Sequence, residues 1–184
     1  MRPTADPFRV LVADPPWAFG DHLPGPRRGA SKNYPCLGID DLCNFPLPPL
    51  AVDAHLFLWR VASMQVEALH LTEAWGFTVK SEIVWLKQTS HGKQWFGMGR
   101  QVRMAHETCL IATRGKGAGV RDHSIRSTFG APAGLHSEKP EAFFHLVERL
   151  VPGPWVELFA RRPRAGWVVY GNEIEGGVVD GRVA

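Results

Sequence analysis

Arg9-Val10-Leu11-Val12-Ala13-Asp14-Pro15-Pro16-Trp17 is the stretch on which the reading of this chain turns. Its first five residues are short, mostly apolar and flanked by prolines, which predicts a buried strand. The chain then places an acid, two prolines and a tryptophan at the strand's carboxyl end. Consecutive prolines fix φ and carry no N–H groups, so their carbonyls are expected as rigid, outward-facing acceptors. Asp14 adds a charged acceptor. Trp17 offers a flat face on which a base can stack, a contact worth roughly 1–3 kcal/mol. The Asp14 carboxylate and the Pro15 carbonyl can each accept one hydrogen of an aromatic NH2 group. That pull localises the nitrogen lone pair for attack on an electrophilic carbon, and the carboxylate stabilises the positive charge that develops. Asp14, Pro15, Pro16 and Trp17 are therefore the catalytic candidates.

Outward from this motif, strand-like and helical runs alternate. Residues 14 to 50 are rich in Pro, Gly and Asp and read as a long irregular loop, of a length that is usually functional or mobile. Strands are expected at His55–Trp59, Phe77–Leu86 (one long strand or two short ones), Glu107–Thr113, Ser124–Phe129, Trp155–Ala160 and Trp167–Gly171. Ser63 reads as the cap of a helix with Met64, Ala68, Leu71 and Trp75 on one face and Gly76 at its end. Ser137 reads as the cap of a second helix, with Pro140 and Glu141 in its first turn. Phe143, Leu146, Val147 and Leu150 form its buried stripe. Trp59, Trp75, Trp85, Phe143 and Phe144 are expected in the core. The alternation predicts an α/β fold, with a mostly parallel sheet of seven to eight strands and helices on both faces. Ligands bind such sheets at the carboxyl ends of the strands, near a switch point in strand order. One domain over 1–176 and a flexible tail over 177–184 are expected.

Composition narrows the class. The chain has 184 residues, 45% hydrophobic and 21% charged, as in ordinary globular proteins. No apolar run approaches the roughly 20 residues of a spanning helix, and no secretory leader is read at the N-terminus; no membrane and a cytoplasmic location are expected. Cys36, Cys43 and Cys109 have no CxxC spacing, and the histidines form no spaced cluster, so no metal is assigned. No GxGxxG follows a strand, which argues against a nicotinamide enzyme. Net charge is only +3, but the basic residues concentrate between Lys87 and Arg126. There Lys93, Arg100 and Arg103 interleave with Trp95, Phe96 and glycines, the expected footprint of a segment that tracks phosphates.

Asp14-Pro15-Pro16-Trp17 resembles the signature of the adenine-N6 methyltransferases related to the catalytic subunit of the eukaryotic mRNA methyladenosine writer, a family with bacterial and phage members. The resemblance extends through Leu56-Phe57-Leu58-Trp59, His106-Glu107-Thr108-Cys109-Leu110, His136-Ser137-Glu138-Lys139-Pro140, Glu157-Leu158-Phe159-Ala160-Arg161, and Gly166-Trp167 to Gly171-Asn172-Glu173. It implies a Rossmann-like class I methyltransferase fold with permuted motif order, the catalytic motif preceding the cofactor-binding half. It implies S-adenosylmethionine as cofactor and S-adenosylhomocysteine as product. Lys139 is similar to the lysine that pairs with the cofactor carboxylate. Asn172 and Glu173 are candidates for ribose hydroxyls, as is one of Arg161 and Arg162. Asp14 borders the cofactor as well as the target. Tyr34 resembles a tyrosine folding over the target base, and Glu107 is placed at the target pocket.

The leading expectation is N6-adenine methylation of nucleic acid, DNA favoured over RNA. The alternatives are an RNA adenosine methyltransferase, a cytosine-N4 methyltransferase, and a catalytically silent nucleic-acid-binding subunit. Related enzymes that methylate the cytosine amine usually carry serine at the motif position of Asp14, and a silent subunit would be expected to lose Asp14, Lys139 or Asn172. Either a homodimer or a partner subunit is compatible with the sequence. A paired adenine must be flipped out, or a single strand supplied, before its amine can react.

Overall fold

The computed structural model describes residues 6–18, 36–97, 101–134, 138–171 and 174. Seven strands form one sheet in the order β5-β3-β4-β2-β1-β6-β7. They are β1 (Phe8–Ala13), β2 (Leu50–Arg60), β3 (Thr78–Gln88), β4 (His106–Arg114), β5 (Thr128–Pro132), β6 (Trp155–Leu158) and β7 (Trp167–Tyr170). Parallel pairing joins β2 to β1, β1 to β6, β6 to β7 and β3 to β5. β4 is antiparallel to both of its neighbours, so it alone runs against the rest. The fold is α/β and Rossmann-like.

The strands of the sheet's centre are buried on both faces, as a sheet covered by helices requires. In β1, Leu11 and Ala13 point into one core while Val10 and Val12 point into the other. In β2, Leu56 and Leu58 join the first core, and Phe57 and Trp59 join the second. Helices α1 (Ile39–Cys43) and α2 (Gln65–Ala74) cover the first face through Leu42, Ala68 and Leu71. Helix α3 (Glu141–Leu150) covers the second through Phe143, Phe144 and Val147. The expected core residues Trp59, Trp75, Trp85, Phe143 and Phe144 are all at most 4% exposed.

Some boundaries differ from the sequence expectation, each for a local reason. The loop after β1 contains α1, whose five residues are too few to show a helical period. Ser63 does not cap α2; it lies inside a 3-10 turn, Ala62–Met64, and Met64 occupies the cap position without a side-chain bond. β5 starts at Thr128 rather than Ser124. There the Asp122 carboxylate accepts the backbone N–H of Ser124 at 2.9 Å and its hydroxyl at 2.5 Å, closing a turn where the strand was expected. Pro140, not Ser137, stands at the α3 cap position, and Ser137 lies outside the described residues.

β1 connects onward to β2 on one side and lies against β6, from late in the chain, on the other. This is the switch point of the sheet. Asp14 follows β1 directly and so emerges where such sheets bind ligands.

Candidate functional site

The cleft at this switch point is lined by Asp14, Glu138, Lys139, Phe144, Glu157, Phe159, Arg161, Arg162 and Arg164. Residues from just after β1, from β6 and α3, and from the segments before α3 and after β6 therefore meet at one place. Four of them, Asp14, Lys139, Arg161 and Arg162, are sequence candidates.

Lys139 is the hub. Its ammonium donates to Asp14 Oδ2 at 2.6 Å and stands 3.2 Å from Glu107 Oε2. It also lies over the Trp59 ring, 5.1 Å from the centroid. Burial opposes a charge here, but Asp14 and Glu107 outweigh it and raise the lysine well above its ordinary pKa. Glu107 in turn pairs with Lys87 at 2.5 Å. Burial would raise the Glu107 carboxyl, yet Lys139 and then Lys87 bring it below the usual glutamate value. Lys87 is itself held between Trp85 and Trp95, 5.0 Å from each ring centroid. The result is an alternating row, Lys87–Glu107–Lys139–Asp14, running from the β3–β4 side of the sheet to the cleft.

Lys139 is thus buried, at 8% exposure, and its charge is matched by protein carboxylates from β4 and the end of β1. The proline motif also departs from expectation. The Pro15 carbonyl accepts the N–H of Trp17 at 2.9 Å, which uses one of its two lone pairs. The Pro16 carbonyl accepts the N–H of Leu37 at 2.9 Å and is no longer an outward-facing acceptor. Trp17 does not present an open stacking face: it is 3% exposed, its indole N–H donates to the Trp59 carbonyl at 3.1 Å, and it packs in the first core. Its role in this structure is to pin the motif to β2.

The loop after β6 forms the other wall. Arg162 pairs with Glu138 at 2.7 Å and with Glu141 at 2.9 Å. Arg164 bonds Glu141 and stacks on Phe144, its guanidinium carbon 3.3 Å from the ring centroid. Glu157 and Arg164 are among the cleft residues that the sequence left without a role. Glu157 carried a usable signal: it is the one charged residue of β6, Trp155-Val156-Glu157-Leu158, and a charge in a buried strand requires an explanation. Phe159, just after it, has φ +62°, a left-handed conformation that is an outlier for a bulky side chain. At the neighbouring strand end, Gly171 passes so close to Ala160 that a Cβ would lie 1.7 Å from its carbonyl oxygen. Only glycine fits there.

Other candidates lie apart. Lys93 is exposed in the β3–β4 connection, its backbone N–H bonded to the Thr89 hydroxyl at 3.2 Å, and Arg103 is exposed in the same connection. Tyr34, Arg100, Asn172 and Glu173 lie outside the described residues. Among the described residues, no group of three or more His, Cys, Asp or Glu could hold a metal ion, and no helix is long and apolar enough to cross a membrane.

A sequence profile of the MT-A70 family matches residues 8–173. The chain belongs to the MT-A70 family. It is 30% identical to the human N(6)-adenosine-methyltransferase catalytic subunit METTL3 over 183 residues, 92% of this chain and 28% of that protein. It is also 30% identical to the type II methyltransferase M.MunI of Mycoplasma sp over 187 residues, 91% of this chain and 78% of that protein. A plant relative, the Arabidopsis thaliana N(6)-adenosine-methyltransferase MT-A70-like, is 29% identical over 175 residues, 92% of this chain and 24% of its own length. The chain therefore spans under a third of the length of METTL3 and its plant counterpart. MT-A70 is a methyltransferase family, and its match runs from β1 past β7, so the cleft at the switch point falls wholly within it.

Proposed function

We propose that this chain transfers the methyl group of S-adenosylmethionine to the N6 amine of adenine in nucleic acid. The observation that carries the reading is the convergence of Asp14 with Lys139, Glu157 and Arg161 in one cleft at the carboxyl ends of β1 and β6. The cofactor's amino-acid end is a zwitterion, so its site needs acidic and basic side chains together. This cleft supplies both, with an acceptor left over: Glu157 Oε2 is buried and has no hydrogen-bond partner. Lys139 would hold the carboxylate. Arg161, which lines the cleft, would serve a ribose hydroxyl. When bound, S-adenosylmethionine supplies an electrophilic methyl group.

The protein's part is to prepare the amine. Lys139 engages Oδ2 of Asp14, and Oδ1 is the oxygen we assign to one amine hydrogen. The second lone pair of the Pro15 carbonyl takes the other. Both pulls raise electron density on nitrogen, and Asp14 stabilises the cation formed as the bond is made. The methylated amine is then acidic enough to lose a proton without a strong base. Glu107, held anionic by Lys139 and Lys87, borders the target side. Lys93 and Arg103 supply the phosphate contacts. DNA is favoured over RNA on the likeness to M.MunI, which runs over most of that protein's length.

The test is to incubate the protein with S-adenosylmethionine and separate pools of DNA and RNA, and to identify methylated nucleosides by mass. N6-methyladenine in DNA is expected; its absence from both pools sinks the proposal, and its appearance in RNA alone corrects the polymer. Asp14→Ala should lower transfer by about a thousandfold, the scale for loss of a group that stabilises developing charge, while cofactor still binds. Retained activity in that variant would remove Asp14 from its role.

A further inference from the structure

Glu157 has the environment of half an ion pair. It projects from β6, one residue before the strand's end, and is 8% exposed. Its Oε2 has no hydrogen bond. The Nε of Arg164 stands 3.8 Å away, and it too is buried without a partner. Arg164 cannot swing over to close that gap cheaply, because its Nη1 is bonded to Glu141 and its plane lies on Phe144. The other charges facing Glu157 are Asp14 from the end of β1, Arg162 from the same loop as Arg164, and Lys139 from before α3. Lys139 is occupied by Asp14 and Glu107, and Arg162 by Glu138 and Glu141. None of these cations hydrogen-bonds Oε2, so a buried carboxylate oxygen of a cleft-lining residue is left without a donor.

We propose that Glu157 receives the α-ammonium of the cofactor's amino-acid end, and that this pairing makes cofactor binding expel a proton from the protein. The inference rests on the proposed cofactor reading. Its chemistry is a matter of complementarity. The ammonium of the bound zwitterion sits beside its carboxylate. A lysine for one and a carboxylate for the other, in the same cleft, match that pair of charges. Neither Asp14 nor Glu107 is as well suited to the ammonium, since Lys139 already neutralises both.

The proton follows from the state of Glu157 before binding. Burial, only partly offset by Arg164, pushes its carboxyl up to about 7. A cation docked on the carboxylate favours the ionised form and draws the value back down. The proton held by the free protein is then released. Below the raised value, affinity should strengthen as pH rises, and the dependence should flatten above it.

The measurement is calorimetric titration of the whole chain with S-adenosylhomocysteine in buffers of different ionisation enthalpy. Near pH 6, binding should release close to one proton; near pH 8 it should release almost none. The dissociation constant should fall about tenfold between the two. Two controls isolate the residue. Glu157→Gln, which keeps the shape, should bind with neither proton release nor the pH dependence. Methylthioadenosine, which lacks the amino-acid end, should release no proton from the unmodified protein, so the test holds even if the variant folds poorly. Equal proton release with Glu157→Gln or with methylthioadenosine would overturn the inference, as would binding of S-adenosylhomocysteine without release. Failure of S-adenosylhomocysteine to bind at all would overturn the cofactor reading, and this inference with it.

Discussion

Two groups of buried charge lie on either side of Asp14, and they are built in opposite ways. On the β4 side, Lys87, Glu107, Lys139 and Asp14 alternate in sign, each within 3.2 Å of the next. On the β6 side, Glu157 and Arg164 face one another at 3.8 Å, and both keep a buried atom unbonded. In a row of matched charges each member compensates its neighbours' desolvation, so removing one leaves the others uncompensated. A carboxyl left half-paired lacks that compensation, and it lowers the stability of the ligand-free protein. The first arrangement holds Asp14, the residue we assign to catalysis, in place. The second is the arrangement that the proposed ammonium would complete.

The sharpest way to break the comparison is to remove the hub. Lys139→Met keeps most of the side chain's volume but leaves Asp14 and Glu107 without their shared cation. Loss of one member of a buried pair costs about 3–5 kcal/mol, and a loss near the lower end is expected because both carboxylates are about a quarter exposed. Chemical denaturation at neutral pH measures it. A change under about 1 kcal/mol would show that the row is no more than a surface pair.

Glu157→Gln should act in the opposite direction. The folded-state carboxyl is raised to about 7, above an unfolded value near 4.3. The folded protein therefore binds more protons than the unfolded chain between those values, and stability falls as pH rises through that window. The neutral amide removes this cost. We expect the variant to be more stable than the parent by about 2 kcal/mol near pH 8, with the gain vanishing below about pH 4. A variant less stable than the parent at pH 8 would mean that Glu157 is already satisfied. The two substitutions thus test one distinction, between charges that hold the fold and a charge that burdens it.

The same distinction explains what could be read from the sequence. β1 and β2 declared themselves because both faces are apolar, and α3 because its buried stripe recurs at helical spacing. Asp14 could be placed because it adjoins a recognisable strand. Lys139 could be nominated, but not its partners: it meets Asp14 across 125 positions of chain, a contact that no local pattern encodes. The open face expected of Trp17 failed for the same reason, since its burial depends on β2. Glu157 was legible in principle, as a lone charge in a buried strand. Its unpaired state was not, because that depends on where Arg164, Glu141 and Phe144 sit together.

The far end of the row gives the smallest and most finely resolved test. Lys87 is held in two ways, by Glu107 and by the rings of Trp85 and Trp95. These respond differently to acid. The Glu107 carboxyl, brought below its usual value by Lys139 and Lys87 against the effect of burial, contributes stability that is present above the unfolded pKa and lost as pH falls through the depressed one. The contact with the two rings does not titrate in that range. Lys87→Met should therefore cost about 1–2 kcal/mol at neutral pH. The difference from the parent should shrink on acidification to about pH 3, and the remainder measures the aromatic contact. A difference that stays constant from neutral pH to pH 3 would detach Glu107 from the row and leave Lys87 as an aromatic prop alone.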